Sequence, residues 1–595
     1  MLYTNNWALQ GYMDHIIQQA EQLVRQQQYI DALAIIQPVL LEQPNNDQAL
    51  NIAAVVAILQ GHTNEAMDYF AKAIQANPTN TDAINNLCAI IGKTRNQCDQ
   101  YLILLANALT QWIIPQLRPE TGKIIQLTFD KLSFNKTEPM EWLTAVFENY
   151  ALPILLTAAQ YDHYDLAFFL EGYIYQHYVK REESETHFEQ AFIRWKNQLH
   201  EAGQRNRKIV DEMIAGENWS AGNPLTENNL PKIAFILHTS STLAHVEALI
   251  SFLAGHQQLT TPLISPMVIT IADHNANMVN QFQALKVPII EIETEHPQMP
   301  RSARYAFVKS YLYTQGYQTL VWVTSVPEMS FAFGLRLAKT QIWWTMKFHG
   351  FSLPSIDGYV SSMHVEETFE HNGIQWHGGT LSSVNWFDET QTAAAKQLRH
   401  QYPYACLYGT IAREEKLNDP LFLNCIADIL TANPDAGYLF TGRELDPTIE
   451  QVFTERGVAP RCHYVGWINS KLYCQVIDIF LDSFPCGSGY SLLESMAAAK
   501  PVVMLNQPNY VSYYPTIDAL INTYFPTDIA TESFYQSIAT SVNEYRDIAL
   551  HLATDPNQYQ QASRLNQHII NELFANQQRC AQIYCQHFLS ISQQT

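Results

Sequence analysis

Positive charge is scarce in this chain: 35 Lys and Arg stand against 57 Asp and Glu, a formal net charge of −22 over 595 residues. Such a surface repels phosphate backbones, which argues against a nucleic-acid partner. The nine cysteines (positions 88, 98, 406, 425, 462, 474, 486, 580 and 585) form no C-x-x-C pair. Cys88, Cys406 and Cys425 fall inside apparent strands or helices, so they read as reduced packing residues. No run approaches the roughly eighteen apolar residues of a membrane span. The first residues, Met1 to Trp7, lack the basic and apolar regions of a signal peptide, so a cytoplasmic protein is expected. Also missing are G-x-G-x-x-G, G-K-[ST] and the G-x-S-x-G nucleophile elbow, although Ser240 and Ser241 lie beside His238. Asp478 and Asp482 are spaced too widely for D-x-D, and no cluster has metal-ligand spacing, so neither metal nor cofactor is expected.

What is present is a well-packed globular composition, 47% hydrophobic and 12% aromatic. The length predicts about three domains. Tyr29 to Pro44 and Asn64 to Pro78 match each other, with Ala32 against Ala66 and Pro44 against Pro78 at an offset of 34 residues. That is the tetratricopeptide period, with small residues where paired helices touch and proline closing the second helix. A weaker third pair is read at Asp165 to Tyr178 and Glu182 to Trp195. Two clear repeats are too few to bury their own apolar faces, so this region should lean on the rest of the chain. Residues 215 to 231 have linker composition.

Beyond the linker, apolar strands alternate with helical stretches. Strands are predicted at Lys232–His238, Met267–Ile271, Val287–Ile292, Thr319–Val323 and Gln341–Trp344. A second series begins at Tyr404–Gly409 and continues at Tyr438–Thr441, His463–Val465, Ile479–Leu481 and from Val502. This alternation predicts two doubly wound α/β sheets in tandem, with ligands at the carboxyl ends of their strands. The predicted division is an all-α repeat domain (1–215), two Rossmann-like domains (232–395 and 400–555) and C-terminal helices (556–595), one of which is expected to cross back to the first sheet.

The most informative segment is Asp478 to Val503. It reads as a strand, a small-residue turn (Gly487, Ser488, Gly489), a helix opening near Tyr490, and another strand. A turn feeding a helix N-terminus presents backbone N–H groups and the positive end of the helix dipole to an anion. Glu494, about one turn into the helix, can accept hydrogen bonds from a ribose. The plainer alternative is an ordinary βαβ turn with a solvated glutamate. Lys416 follows the first strand of the second sheet and can neutralise a diphosphate leaving group, or be a solvated loop lysine between Glu414 and Glu415. His238 ends the first strand of the first sheet and His245 lies in the next helix. His349 follows the apolar Ile342-Trp343-Trp344. Each can orient or deprotonate an acceptor, or serve only as a hydrogen-bonded structural histidine.

Taken together, the small-residue turn, Glu494 seven residues before Pro501, Lys416-Leu-Asn-Asp-Pro420 and Asn433-Pro-Asp-Ala-Gly-Tyr-Leu-Phe-Thr-Gly442 resemble the donor domain of GT-B glycosyltransferases. Within that class the likeness is to the peptide-modifying group with N-terminal helical repeats, which includes the O-GlcNAc transferases and the bacterial cytoplasmic N-glycosyltransferases of adhesins. The resemblance implies an inverting, metal-independent transfer of a hexose or N-acetylhexosamine from a nucleotide sugar, expected to be UDP-linked, to a polypeptide side chain. It implies that Lys416, with Arg413, contacts the diphosphate. Gly442-Arg443 and Gly466-Trp467 would frame the base, Tyr490 and Ser491 would contact phosphate, and Glu494 the ribose. His245, then His238 and His349, would line the acceptor side. Tyr490-Ser491 replaces the usual Thr-Thr or Asn-Thr, and the ribose acid is Glu rather than Asp. Two rival readings are a repeat scaffold carrying a degenerate transferase fold, and a GT-B transferase acting on glycan or lipid.

Overall fold

The computed structural model describes residues 4–95, 98–116, 125–126, 128–132, 139–178, 185–216, 222–224, 229–238, 244–324, 326–345, 352–380, 389–508, 510, 517–518, 521–522 and 537–595. It divides into two compact units. One holds residues 1–217 with 300–306 and 326–336, and the other holds the remainder.

The first unit is all-helical, and its repeat is visible in the helix ends. Helices Tyr29–Glu42 and Thr63–Ala76 begin 34 residues apart, as do Asp47–Leu59 and Thr81–Thr94. Asn46 and Asn80 occupy equivalent caps, accepting from the amides of Ala49 and Ala83 at 3.0 Å each. An asparagine cap satisfies one of the orphan amides of a helix start, so the same side chain at the same offset reproduces the same entry geometry. Ala32 and Ala66 are fully buried, as expected of small residues where two helices meet. The third pair departs from expectation. Its first helix is Tyr164–His177, but the second is one long helix, Glu185–Gly216, rather than a segment ending at Trp195.

That long helix packs against the short helix Met329–Leu335 at backbone distance. A Cβ added to Gly203 would lie 2.2 Å from the Phe331 carbonyl oxygen, and one added to Gly334 would lie 2.1 Å from that of His200. Larger residues at either place would push the helices apart. Buried polar groups fix the same region. Glu171 accepts from the Trp195 indole at 3.1 Å and from the Glu328 amide at 2.5 Å. The Glu328 carboxylate accepts from Arg301 at 2.7 Å and from the Tyr305 hydroxyl at 2.6 Å. The repeat region therefore has, within its own unit, two pieces of chain that the sequence placed in the first α/β domain.

The continuous helical stretch Met140–Gln160 is long and apolar enough to cross a membrane, and 61% of its most apolar window is buried inside the protein. Glu141, Thr144, Glu148 and Asn149 interrupt it, so it is not a continuous run of eighteen apolar residues. The apolar side chains serve a helix core here: Trp142, Leu143, Phe147, Tyr150 and Leu155 are buried.

The second unit contains two sheets. The first is built from β1 Lys232–Leu237, β2 Ser265–Thr270, β3 Ile289–Glu291, β4 Thr319–Val323, β5 Thr340–Thr345, β6 Gly358–Ser361, β7 Met363–His371 and β8 Ile374–Thr380. Its order is β3-β2-β1-β4-β5-β6-β8-β7, parallel except where β7 meets β8. The β7–β8 hairpin was not anticipated from sequence. Its turn, Asn372-Gly373, places both residues at positive φ (51° and 71°), and Asn-Gly is a strong hairpin signal. The second sheet comprises β9 Cys406–Thr410, β10 Ala436–Phe440, β11 Cys462–Tyr464, β12 Ile479–Leu481, β13 Val502–Leu505 and β14 Ile538–Ala539. Its order is β11-β10-β9-β12-β13-β14, all parallel. Each sheet thus carries the doubly wound order in which the direction of winding reverses beside the first strand, at β1/β4 and at β9/β12. This is the expected architecture of two Rossmann-like sheets preceded by an all-α region.

The helix Glu389–Arg399 spans the boundary expected between the two Rossmann-like domains, and its Thr392 bonds Gln475 of the second. The C-terminal helix Gln577–Gln594 returns to the first sheet, as expected. Tyr584, Phe588 and Ile591 join Phe235, Phe252 and Trp344 in one core, and the Tyr584 hydroxyl is 2.8 Å from Ser362 Oγ.

Candidate active site

The winding reversal of the second sheet puts two loops side by side, one after β9 and one after β12. Parallel strands separated there leave a crevice that no crossover helix fills, which is where open α/β sheets bind ligands. A cavity of about 280 Å³ occupies it, with Ala244 and Glu247 of the first α/β region on one wall.

The loop after β12 is fixed by its own polar groups. Asp482, almost wholly buried, accepts from the Ser488 amide at 2.7 Å, and Ser483 Oγ donates to the Cys486 carbonyl at 2.8 Å. Burial raises the Asp482 carboxyl to about 7, opposed by the Ser488 amide and by nearby Lys416. The turn delivers Gly489 as the residue before helix Tyr490–Ala497. The first amides of that helix have no partner within it and point at the cavity, the arrangement that receives an anion. Ser488 Oγ is buried and makes no hydrogen bond among the described residues.

The loop after β9 supplies cations. Arg413 precedes a single 3₁₀ turn, Glu414–Lys416. The Lys416 ammonium donates to the Gly487 carbonyl, tying the two loops together beside the helix start. Glu414 is buried, and its carboxylate accepts from the Arg443 amide at 2.8 Å.

Glu494, one turn into helix Tyr490–Ala497, also lines the cavity. Only 4% exposed, its Oε2 has no hydrogen-bond partner among the described residues. Burial pushes its carboxyl up to about 7; a Ser470 hydrogen bond and Lys471 act to lower it, and Glu247 across the cavity raises it. A buried carboxylate oxygen with an unmet acceptor is costly unless a ligand donor meets it.

The anticipated residues fall into three groups. Arg413, Lys416, Trp467, Ser488, Gly489, Tyr490, Ser491 and Glu494 line the cavity together. Gly487 stands behind it as the Lys416 acceptor. Gly442, Arg443 and Gly466 do not form its wall. Gly442 accepts from the Tyr464 hydroxyl at 2.9 Å and donates its amide to the Gly466 carbonyl at 3.3 Å. Gly466 serves conformation, with φ of 73° and open space where a Cβ would be. The Arg443 guanidinium lies 5.3 Å from the ring centre of Trp467, which is 62% exposed. The expected role of Ser491 is narrowed: its hydroxyl donates to the Ile411 carbonyl at 2.6 Å, which leaves its backbone amide to face an anion.

The histidines come out differently. His245 lies in helix Ala244–Gln257, with Nε2 sealed from solvent and unbonded among the described residues. Burial, reinforced by His238, lowers it to about 4, so it is neutral at pH 7 and a poor proton store. His238 is half-buried at the end of β1. His349 lies outside the described residues. Sequence reasoning missed Glu247, Ser470 and Thr441 of the cavity wall, and the structural Asp482. Only Asp482 carried a signal, as an acid at a strand end before the small-residue turn. Among the described residues, no group of three or more His, Cys, Asp and Glu is placed to hold a metal ion. A larger open groove of about 670 Å³ lies by Ser537, Glu544, Asp547 and His551, and among the described residues no Lys or Arg lines it.

No protein-family model matches the chain. Over 77 residues it is 32% identical to the uncharacterized protein y4yS of Sinorhizobium fredii, a match covering 13% of this chain and 42% of that protein. The chain thus spans less than half the length of the curated relative it matches. Among solved structures it is similar to an O-GlcNAc transferase mutant of Thermobaculum terrenum, at 15% identity and a TM-score of 0.47, over 98% of both chains. It is also similar to HepE of Anabaena in complex with UDP and glucose, at 12% identity and 0.41, over 61% of this chain and 97% of that one. A glycosyltransferase of Rickettsia africae gives 11% and 0.44, over 62% and 100%. At these scores the site stands on this chain's own residues.

Proposed function

We propose that this chain is a glycosyltransferase that takes a hexose or N-acetylhexosamine from a nucleoside diphosphate sugar, UDP-linked in the first instance, and places it on a polypeptide side chain. One observation carries the reading. At the winding reversal of the second sheet, a single cavity is lined by two cations, a helix N-terminus and a buried carboxylate whose Oε2 has no partner among the described residues. That set complements a nucleoside diphosphate, which presents a diphosphate anion and, next to it, ribose hydroxyls that donate hydrogen bonds. The diphosphate lies against Arg413, Lys416 and the amides at the start of helix Tyr490–Ala497, and a ribose hydroxyl donates to Glu494 Oε2. The exposed face of Trp467 offers a stacking surface at the cavity rim.

In the reaction, the acceptor heteroatom bonds to the anomeric carbon as the bond from that carbon to the diphosphate oxygen breaks, with inversion. Negative charge growing on the diphosphate is met by groups already in place, the arrangement that lowers a barrier most effectively. These protein groups make the transfer metal-independent in this reading. His238 orients the acceptor, and the acceptor's proton is taken up by the departing diphosphate. The repeat region is the support for a polypeptide acceptor over a glycan or lipid.

The test is a screen of UDP- and GDP-sugars against the full chain, reading thermal shift and slow donor hydrolysis, with Lys416→Ala beside it. A nucleotide that binds the folded state raises its apparent stability by mass action. If no donor shifts or is hydrolysed by the wild type, the chain is a scaffold carrying a degenerate transferase fold.

A further inference from the structure

A second pocket lies at the opposite end of the same sheet, by the amino ends of β9, β12 and β13, with a volume of about 450 Å³. Its charged lining is Lys396, Arg399, Asp478 and Lys500, with the imidazole of His400 beside them. In a chain with 57 acids and 35 bases, this concentration of cations around one acid runs against the overall balance. The acid is also already engaged. Asp478 Oδ2 is 2.8 Å from Arg399 Nη2 and accepts from the Leu407 amide at 2.8 Å. Arg399 directs further donors to the carbonyls of Tyr402 and Tyr404, at 2.7 and 2.9 Å.

Lys396, His400 and Lys500 remain. None forms a side-chain hydrogen bond or ion pair among the described residues. Lys396 and His400 are exposed at the rim, and Lys500 is half-buried at the base. Burial lowers the Lys500 ammonium from its usual range, Asp478 acts to raise it, and Arg399 lowers it further. The acid beside the Lys500 ammonium is Asp478, which Arg399 already pairs at 2.8 Å. The half-buried ammonium thus shares its counter-charge, and an anion in the pocket would relieve the cost of burying it. Ala498 and Lys500 follow the helix that begins at the candidate donor turn, so the pocket and the donor site lie at opposite ends of one helix.

We propose that this pocket binds a phosphate-class dianion and is separate from the nucleotide-sugar site. Lys500 meets the anion from below, and Lys396 and His400 close on it from the rim. The volume leaves room for a phosphate ester, and the source, free phosphate or ester, is resolved by using both as probes.

The experiment is phosphorus NMR line broadening of inorganic phosphate, and separately of glycerol phosphate, by the full chain at low ionic strength. Wild type, Lys416→Ala, Lys500→Met and Lys396→Gln are compared. Replacing a charged partner of the anion by a neutral side chain weakens binding by about 10-fold or more. The expected result is saturable binding in the wild type, retained in Lys416→Ala and weakened by that factor in Lys500→Met, with a smaller loss in Lys396→Gln. If Lys500→Met does not fold, Lys396→Gln decides, since its side chain is at the surface. Absence of binding in the wild type overturns the proposal, as does binding that vanishes in Lys416→Ala while both pocket variants keep it. Because Lys416→Ala removes a cation of the donor site and leaves this pocket intact, phosphate binding that persists in it reports on the pocket, and failure here is distinct from failure of the nucleotide-sugar reading.

Discussion

Replacing Glu494 by Gln tests the donor site through a single proton. Burial lifts the Glu494 carboxyl to about 7, so in the empty cavity it is about half protonated near neutrality. A ribose hydroxyl donating to Oε2 prefers the carboxylate, so nucleoside diphosphate binding expels the proton. Below about pH 7 the wild-type affinity should fall by up to tenfold per pH unit, and above it the affinity should level off. At pH 7 the proton itself costs about RT ln 2, or ~0.4 kcal/mol. Loss of the charge-assisted bond costs ~1.5–3 kcal/mol, so Glu494→Gln should weaken UDP binding by about 10- to 100-fold above neutrality. The gap should narrow at low pH, where the wild type is also neutral. Calorimetric titration of both proteins with UDP across the range measures it, and the phosphate's own titration cancels in the comparison. Equal affinities at high pH, or parallel pH profiles, would place Glu494 outside the ribose site.

Three further outcomes are expected. Lys416→Ala should lower turnover by about 10²–10³ because the leaving group loses a fixed positive charge, with thermal stability little changed; unaltered kinetics remove Lys416 from the reaction. Deleting residues 1 to 200 should leave Tyr305 and Phe331, both fully buried, without Phe168, and the Glu328 amide without its Glu171 acceptor. Aggregation or loss of protein-acceptor activity should follow, whereas a monodisperse fragment from residue 220 with full transfer to protein acceptors would show the repeats to be an independent module. Finally, burial holds Glu171 at about 8 and Asp482 and Glu494 at about 7, each above the ordinary 4.5 or 3.8. Burial also lowers His245 to about 4 and moves His200, His256 and His463 down, which opposes this below about pH 6.5. From about pH 6.5 to pH 8 the folded state binds more protons than the unfolded one, and stability should decline as pH rises through that window; a rising unfolding temperature there contradicts this assignment.

The sequence by itself determined the pieces whose physics is local. Alternating apolar runs fixed the strands and helices of both sheets, because burial on both faces demands continuous apolar segments. A 34-residue offset fixed the helix pairs of the repeat region, down to the equivalent caps at Asn46 and Asn80. The strand, small-residue turn and helix at 478 to 503 were legible for the same reason, whereas the return of the last helix to the first sheet was expected only from the two-domain fold that the sequence resembles. Tertiary structure decided everything that depends on residues far apart in the chain. It alone set the strand order, and so brought the loops after β9 and β12 together and put Glu247 across from Glu494. It turned the Ser491 hydroxyl to Ile411, sealed His245, and left Gly442, Arg443 and Gly466 out of the cavity wall. It also placed residues 300–306 and 326–336 in the helical unit, where Gly203 and Gly334 allow two helices to meet at backbone distance. A glycine in a sequence shows that a close approach is possible; which backbone arrives there is settled only when the chain has folded.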